Sequence, residues 1–307
     1  MSKVAVLSGG LSLEREISLR SGQRVAGALE DSGYDVARLD LDEHLVRSLS
    51  ERQFDSAFIC LHGQAGEDGT IQGLLDLIAL PYTGPSAATS ALAWDKAVAK
   101  SLWASSNLAT PPWVVLSASA VRDMGAADAL DRVVERLGLP LMVKPSQGGA
   151  ALGVKRVSEA RALPGALMSA FSYHDVAIIE RHIEGTEVAV TVLDDEVLPA
   201  VEISPHEGVY DYTARYTHGA TAFHVPARLD TATTEAVDKA ARHAVSTLGG
   251  TSLVRADLIV DAQGTPWVLE LDTSPGMTET SLVPMAAEAT GMSFAALCDR
   301  LVQRALR

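Results

Sequence analysis

Leu253-Val-Arg-Ala-Asp-Leu-Ile-Val260, then Asp261-Ala-Gln-Gly-Thr-Pro266, then Trp267-Val-Leu-Glu-Leu-Asp-Thr-Ser-Pro-Gly-Met277 is the stretch from which the rest of the chain is read. Two apolar runs flank a short Asp/Gly/Pro turn, which predicts two adjacent antiparallel strands. Side chains alternate between the faces of a strand, so Arg255 and Asp257 share one face of the first and Glu270 and Asp272 one face of the second. If those faces coincide, three carboxylates and a guanidinium meet at one spot. Hard divalent cations take oxygen ligands and bridge carboxylates to phosphates, while arginine forks onto phosphate oxygens. Spacing alone also allows a polar hairpin face laced with ordinary salt bridges. Ser274-Pro-Gly-Met-Thr278 follows the second strand, and such a turn can present backbone N–H groups to an oxyanion. Ser281-Leu-Val-Pro-Met-Ala-Ala287 then opens a helix.

Composition sets the outer limits. The chain has 307 residues, enough for two or three packed units, and is 47% hydrophobic and 21% charged. A formal charge of −14 argues against nucleic acid or an anionic membrane as the main partner, because both select a basic face. Local basic sites for a phosphate remain compatible with it. Cys60 and Cys298 sit in apolar surroundings without metal-type spacing and read as reduced core residues. No apolar run reaches the roughly 18 residues of a membrane span, and the chain enters a strand at once without a signal-peptide pattern. A cytoplasmic location is the expectation.

In chain order, Val4 to Leu7 reads as a buried strand, followed by Gly9-Gly10 and a helix over residues 11 to 22. Strand, glycine turn and helix is how an α/β domain opens, with the helix N-terminus free for a ligand. Glu14 falls there, where favourable placement at a helix start is the competing explanation. Strands are expected at Asp35 to Leu41 and Phe58 to Leu61, the latter running into a glycine-rich loop with His62, Glu67 and Asp68. A helical stretch from Ala87 to Ser105 carries Asp95, Lys96 and Lys100. A smaller α/β unit follows: strand Trp113 to Leu116, helix Ala126 to Leu137, strand Leu141 to Lys144, then Pro-Ser-Gln-Gly-Gly-Ala-Ala-Leu-Gly153. Lysine at a strand end before a glycine-rich loop suits nucleotide phosphates, though not in P-loop order. Val176 to Glu180 ends in a carboxylate and Glu187 opens the next strand; the pair could meet an adenine amino group and ribose hydroxyls, or be ordinary strand-end glutamates. Leu198 to Ile203 reads as a strand. Residues 208 to 221, with Tyr210, Tyr212, Arg215 and Tyr216, read as a lid that excludes water. Asp230 to Leu248 is an amphipathic helix stopped by Gly249-Gly250, and a last helix runs from about Ser293 to the end.

These residues resemble the D-alanine–D-alanine ligase family of the ATP-grasp superfamily. The resemblance spans almost the whole chain and rests on seven motifs in order: Gly9-Gly10 with Leu13-Glu-Arg-Glu-Ile-Ser-Leu19, His62-Gly-Gln-Ala-Gly-Glu-Asp-Gly-Thr70, Pro81-Tyr-Thr-Gly84, Asp95-Lys96, Lys144-Pro-Ser146, Tyr210-Asp-Tyr-Thr-Ala-Arg-Tyr216 and the Arg255-to-Pro284 block. It implies an α/β fold, α+β in its ATP-grasp part, with an N-terminal parallel-sheet domain (1–86), a central small ATP-grasp domain (87–180) and a C-terminal large ATP-grasp domain (181–307). ATP would lie between the two antiparallel sheets. The implied reaction joins two D-alanines through an acyl phosphate for peptidoglycan precursors. By position, Lys96, Lys144 and Arg215 would hold ATP phosphates and Glu180 and Glu187 the adenosine. Asp257, Glu270 and Asp272 would bind two Mg²⁺ ions, or Mn²⁺ in their place. Arg255 and the Gly276 N–H would stabilise the oxyanion, with Tyr216 in the catalytic lid. Glu14 would take the first substrate's ammonium; His62, Tyr210, Ser281 and Leu282 would complete the substrate site. A homodimer is implied as well.

Three positions depart from the family pattern. The usual serine pair after the lysine loop is Ala150-Ala151, so the bond from the first serine to the glutamate and to the lid tyrosine is lost. Asp272 replaces an asparagine, adding a negative charge beside the metal ligands, and His182 stands where an aromatic is common. The alanine pair keeps open a paralogue that joins a different amino acid or hydroxy acid. A nucleotide-binding sensor without turnover would be expected to have lost Arg255, Asp257, Glu270 or Lys144, and all four are present.

Overall fold

Strand β1 (Lys3–Ser8) lies between β2 (Asp35–Asp40) and β3 (Ser56–Ile59), all parallel. The computed structural model describes residues 2–124, 126–206, 210, 215 and 219–307. Both faces of this sheet are covered, as parallel sheets require. Val4 and Val6 pack with Val25 and Leu29 of α1 (Arg15–Asp31). Ala5 and Leu7 turn the other way, onto α2 (Leu45–Arg52) and α3 (Thr70–Leu77). Gly22 lets α1 approach closely, since a Cβ there would lie 2.5 Å from the Ser8 side chain.

Next in the chain come α4 (Ala87–Trp94) and α5 (Lys96–Ser105), then strands β4 (Trp113–Ser117), β5 (Leu141–Pro145), β6 (Lys155–Val157) and β7 (Val176–Arg181). These four strands form an antiparallel sheet in the order β4-β7-β5-β6. Helices α6 (Ala118–Met124), α7 (Ala126–Leu137) and α8 (Leu163–Phe171) belong to the same region, and Leu130, Val133, Leu163 and Leu167 pack on Val143 and Ile179.

The third sheet contains β8 (Gly185–Leu193), β9 (Glu196–Val197), β10 (Val201–Pro205), β11 (Thr221–His224), β12 (Leu253–Asp261) and β13 (Pro266–Asp272). Its antiparallel order is β11-β10-β8-β12-β13, with β9 on β8. Period-two alternation divides its apolar residues. Val188, Val190, Val192, Val254, Ala256 and Leu258 face α9 (Thr231–Thr247) together with α4 and α5, where the Trp103 indole donates to the Ala244 carbonyl at 3.1 Å. Ala189, Leu193 and Leu253 face a core shared with α1, α10 (Leu282–Glu288) and α11 (Phe294–Ala305), which also buries Cys60 and Cys298 as free thiols.

Several expected boundaries move, each for a local reason. The helix expected over residues 87 to 105 is two helices, because Asp95 is extended and its carboxylate caps the second by accepting from the N–H groups of Ala97 and Val98. The strand expected from Leu198 begins at Val201, just after Pro199, which has no N–H for a ladder. Helix α1 starts at Arg15 rather than residue 11, leaving Leu11 and Leu13 exposed and Glu14 as the N-cap residue. Strand β8 starts at Gly185, so Glu187 lies inside it. No described helix is long and apolar enough to cross a membrane.

Candidate active site

The two faces of the β12–β13 hairpin coincide: Arg255 pairs with Asp272 and Asp257 with Glu270. The register then skips Leu269, pairing Leu258 with Val268. That bulge lets Val268 and Leu271 both enter the α9 core while Glu270 and Asp272 stay on the site face. Arg255 forks onto Asp257 (Nε–Oδ1 2.7 Å, Nη2–Oδ2 2.8 Å) and reaches Asp272 through Nη1 at 2.8 Å. Lys96 Nζ lies 3.1 Å from Glu270. Burial alone would raise Glu270, but Lys96, Arg215 and Lys144 outweigh it and hold the carboxyl at about 2. Burial pushes Asp257 up, against the pull of Arg255. Among the described residues no trio of His, Cys, Asp or Glu forms a ready cation cage. The hairpin face is therefore laced with ion pairs and faces a cavity as well.

On one side of this face is a cavity of about 100 Å³ lined by Glu14, His62, Arg255, Gly276, Ser281 and Leu282. Burial, then the charge of Asp272, raises the Glu14 carboxyl to about 7. Gly149 arches over it so closely that a Cβ there would sit 2.6 Å from Glu14 Oε2. Glu67 shares the cavity, accepts from the Gly63 N–H at 2.9 Å, and is raised well above the usual carboxylate range by burial, Asp272 and Glu14.

His62, expected in the substrate site, lines the smaller cavity, and both of its ring nitrogens have protein partners. Nδ1 lies 2.9 Å from the Ser274 carbonyl and Nε2 3.2 Å from Ser21 Oγ. A carbonyl only accepts, so Nδ1 carries the hydrogen and Nε2 accepts from Ser21. Burial lowers the His62 pKa, consistent with this neutral form.

The turn after β13 is pinned amide by amide. Ser274 N–H donates to Asp272 at 3.0 Å, Met277 N–H to Ser21 Oγ at 3.1 Å and Thr278 N–H to Ser281 Oγ at 2.9 Å. Pro275 has no N–H. Gly276 N–H is thus the one amide from 274 to 278 without a partner among the described residues, and Gly276 lines the cavity. An unpaired donor inside a fully bonded turn is placed to receive an anion.

On the other side lies a cleft of about 590 Å³ between the two antiparallel sheets, lined by Lys144, Glu180, Glu187, Asp257 and apolar groups such as Met142 and Ile259. That is the size and make-up of a small-molecule site. Lys96, Gly148, Gly149, Tyr210, Arg215 and Glu270 line both spaces. Glu180 is gripped by Lys144 at 2.5 Å and Lys100 at 2.9 Å. These two cations overcome burial and keep Glu180 below its ordinary pKa. Glu187 is raised to about 7 by burial, with Asp257 and Glu270 adding to it. The loop after Lys144 is tied to α5: Lys96 Nζ donates to Gly148 O at 2.7 Å, and Asp95 accepts from Ser146 Oγ at 2.6 Å. Ala150 and Ala151 adopt left-handed φ of 50° and 56°, and Ala150 lines the smaller cavity. Arg215 stacks 4.4 Å over the Tyr210 ring, and its Nε donates to the Tyr210 carbonyl at 3.2 Å. Tyr216 lies outside the described residues.

Sequence reasoning passed over Lys100, Glu67 and Ser21 as site residues. Lys100 sits one helical turn after Lys96 and so shares its face, a signal that was available. Glu67 lay in the glycine-rich loop already in view. Ser21 carried no signal, because its role depends on where residues 62 and 277 meet α1.

Two family descriptions match this chain: "D-ala D-ala ligase C-terminus" over residues 102–303 and "D-ala D-ala ligase N-terminus" over residues 44–85. A relative from Magnetococcus marinus, named D-alanine–D-alanine ligase, is 44% identical over 305 residues, covering 99% of this chain and 97% of its own. A solved D-alanine–D-alanine ligase from Bacillus anthracis, complexed with ATP, superposes with a TM-score of 0.85 at 30% identity, covering 100% of this chain and 98% of that one. The VanG D-Ala:D-Ser ligase from Enterococcus faecalis superposes at 0.84 with 28% identity, covering 99% of both. The fold is thus shared by ligases that differ in their second substrate.

Proposed function

The chain belongs to the D-alanine–D-alanine ligase family, and on that footing we propose that it joins two D-alanines, driven by ATP, into the dipeptide used for peptidoglycan precursors. The observation that carries this reading is the Gly276 amide, without a partner among the described residues, lining with Arg255 a cavity that shares Lys96, Arg215 and Glu270 with a nucleotide-sized cleft. Acyl transfer from a phosphorylated carboxylate needs an amine site and a phosphate site that meet at an oxyanion pocket.

The first D-alanine binds with its ammonium at Glu14. Its carboxylate oxygen attacks the γ-phosphorus of ATP, and ADP leaves. Lys96, Lys144 and Arg215 hold the phosphates through this transfer, while Glu180 and Glu187 take the adenosine. Glu180, ionised between two lysines, is an acceptor only, which suits an amino group on the base. The amine of the second D-alanine, its carboxylate at Ser281 and Leu282, then attacks the acyl carbon. Arg255 and Gly276 N–H stabilise the tetrahedral oxyanion, and phosphate departs as the peptide bond forms. Tyr210, and Tyr216 by family position, close the lid over the substrates.

Asp257, Glu270 and Asp272 offer oxygen donors only, and Glu270 is ionised throughout the physiological range. That set fits Mg²⁺, two ions or Mn²⁺ in their place, which is held by a few carboxylates jointly with phosphate oxygens rather than in a preformed cage. When bound, the ions neutralise charge on the phosphoryl group. Three domains (1–86, 87–180, 181–307), a homodimer and a cytoplasmic location complete the proposal; light scattering on the purified protein tests the dimer. The decisive experiment is phosphate release from ATP and Mg²⁺ across single and paired D-amino acids and D-lactate. D-alanine alone should give D-alanyl-D-alanine, and turnover only with another pair would move the chain to the paralogue reading.

A further inference from the structure

The turn that carries Gly276 is held from behind by α1. Arg24 Nη1 donates to two of its carbonyls, Met277 O at 3.0 Å and Thr278 O at 2.8 Å. Its guanidinium is itself fixed, 3.7 Å over the Phe294 ring. One turn earlier on α1, Ser21 Oγ accepts from Met277 N–H at 3.1 Å and is linked at 3.2 Å to His62, whose other nitrogen holds Ser274 O at 2.9 Å. The Ser274 carbonyl before Gly276, and the Met277 and Thr278 groups after it, are therefore anchored to one histidine and one helix face, neither of which belongs to β13. Arg24 lines no part of the smaller cavity or the cleft.

We propose that Arg24, acting with Ser21, is a positioning residue that sets where the Gly276 amide stands relative to the reacting acyl group. Resting on the ligase reading above, the inference adds to it a control point outside the substrate site. Removing the Arg24 guanidinium releases the Met277 and Thr278 carbonyls, and the turn relaxes back through Met277 to the Pro275–Gly276 peptide that carries the amide. A donor displaced by about 1 Å loses transition-state contact while the binding contacts of Glu14 and Lys144 remain, so the effect falls on kcat rather than KM.

The test is steady-state kinetics with D-alanine and ATP on wild type, Arg24→Ala, Arg24→Lys and Arg20→Ala, with a thermal melt of each. Arg20 lies on the same helix and, among the described residues, pairs with the exposed Glu279 at 3.5 Å and holds no part of the turn, so its variant should keep wild-type kcat. Arg24→Ala should lose about ten- to hundredfold in kcat with KM for ATP within about twofold. Arg24→Lys, whose ammonium can still donate to both carbonyls, should recover most of that loss. Equal kcat in wild type and both Arg24 variants would overturn the proposal, as would a loss confined to melting temperature. If Arg24→Ala does not fold, Ser21→Ala decides: a kcat below wild type at unchanged KM supports the proposal, and wild-type kcat overturns it. Wild type inactive on D-alanine would overturn the ligase reading itself, a result distinct from active wild type with indifferent Arg24 variants.

Discussion

Arg255 and Asp257 sit two residues apart on β12, and their side chains bond in parallel, Nε to Oδ1 at 2.7 Å and Nη2 to Oδ2 at 2.8 Å. Residues i and i+2 share a strand face, which brings these groups together locally; the same guanidinium then crosses to Asp272 on β13 at 2.8 Å. The pair holds a proposed oxyanion donor and a proposed metal ligand in one arrangement. Asp257→Asn keeps the shape but removes the charge, so turnover should fall by about a hundredfold or more. The check is phosphate release at saturating Mg²⁺; near-wild-type activity would remove Asp257 from the metal set.

Lys100 is fully buried, 2.9 Å from Glu180, and also donates to Thr110 Oγ1 at 2.6 Å. Lys100→Met leaves Glu180 with one cation in place of two. Breaking such a buried pair costs roughly 3–5 kcal/mol, which should show as a large drop in denaturant midpoint together with weaker ATP binding. A stability loss with unchanged ATP affinity would separate the fold from the proposed base contact.

Glu187, raised to about 7, gives a pH signature. Between about pH 4.5 and 7 the folded protein keeps a proton that the unfolded chain has lost, so this group makes stability fall as pH rises. Glu187→Gln cannot ionise and removes that slope. In ligand-free protein its melting temperature relative to wild type should rise from pH 5 to pH 8. An offset that is the same at both values would refute the assignment.

Ala150 lines the cavity with Glu14, beneath a loop in which Ala150 and Ala151 are both left-handed. Ala150→Ser restores a hydroxyl near that carboxylate, and the ratio of kcat/KM for D-alanine over D-serine and D-lactate as second substrate should rise. An unchanged profile would mean that the loop positions Glu14 without the hydroxyl, through the close approach of Gly149.

The sequence by itself displayed most of the strands and helices, the hairpin whose strands carry Arg255 with Asp257 and Glu270 with Asp272, and the lysine and glycine loops; the arrangement in sheets was implied by the family resemblance. Hydrophobic period and turn chemistry are local properties that a chain displays before it folds. Separation in sequence hid the rest. Leu269 is indistinguishable from its neighbours until β12 pairs with β13 and leaves it out, sending Val268 into the core. That Ser21 and Ser274 bond to both nitrogens of His62 was hidden in the same way, since nothing local shows it. Ser21 and Arg24 entered the account only once α1 lay behind the Gly276 turn, and Lys100, already visible one turn after Lys96, gained its role only with α5 beside Glu180. A hydrogen bond's meaning depends on which partners long-range packing delivers, and only the tertiary structure decides that.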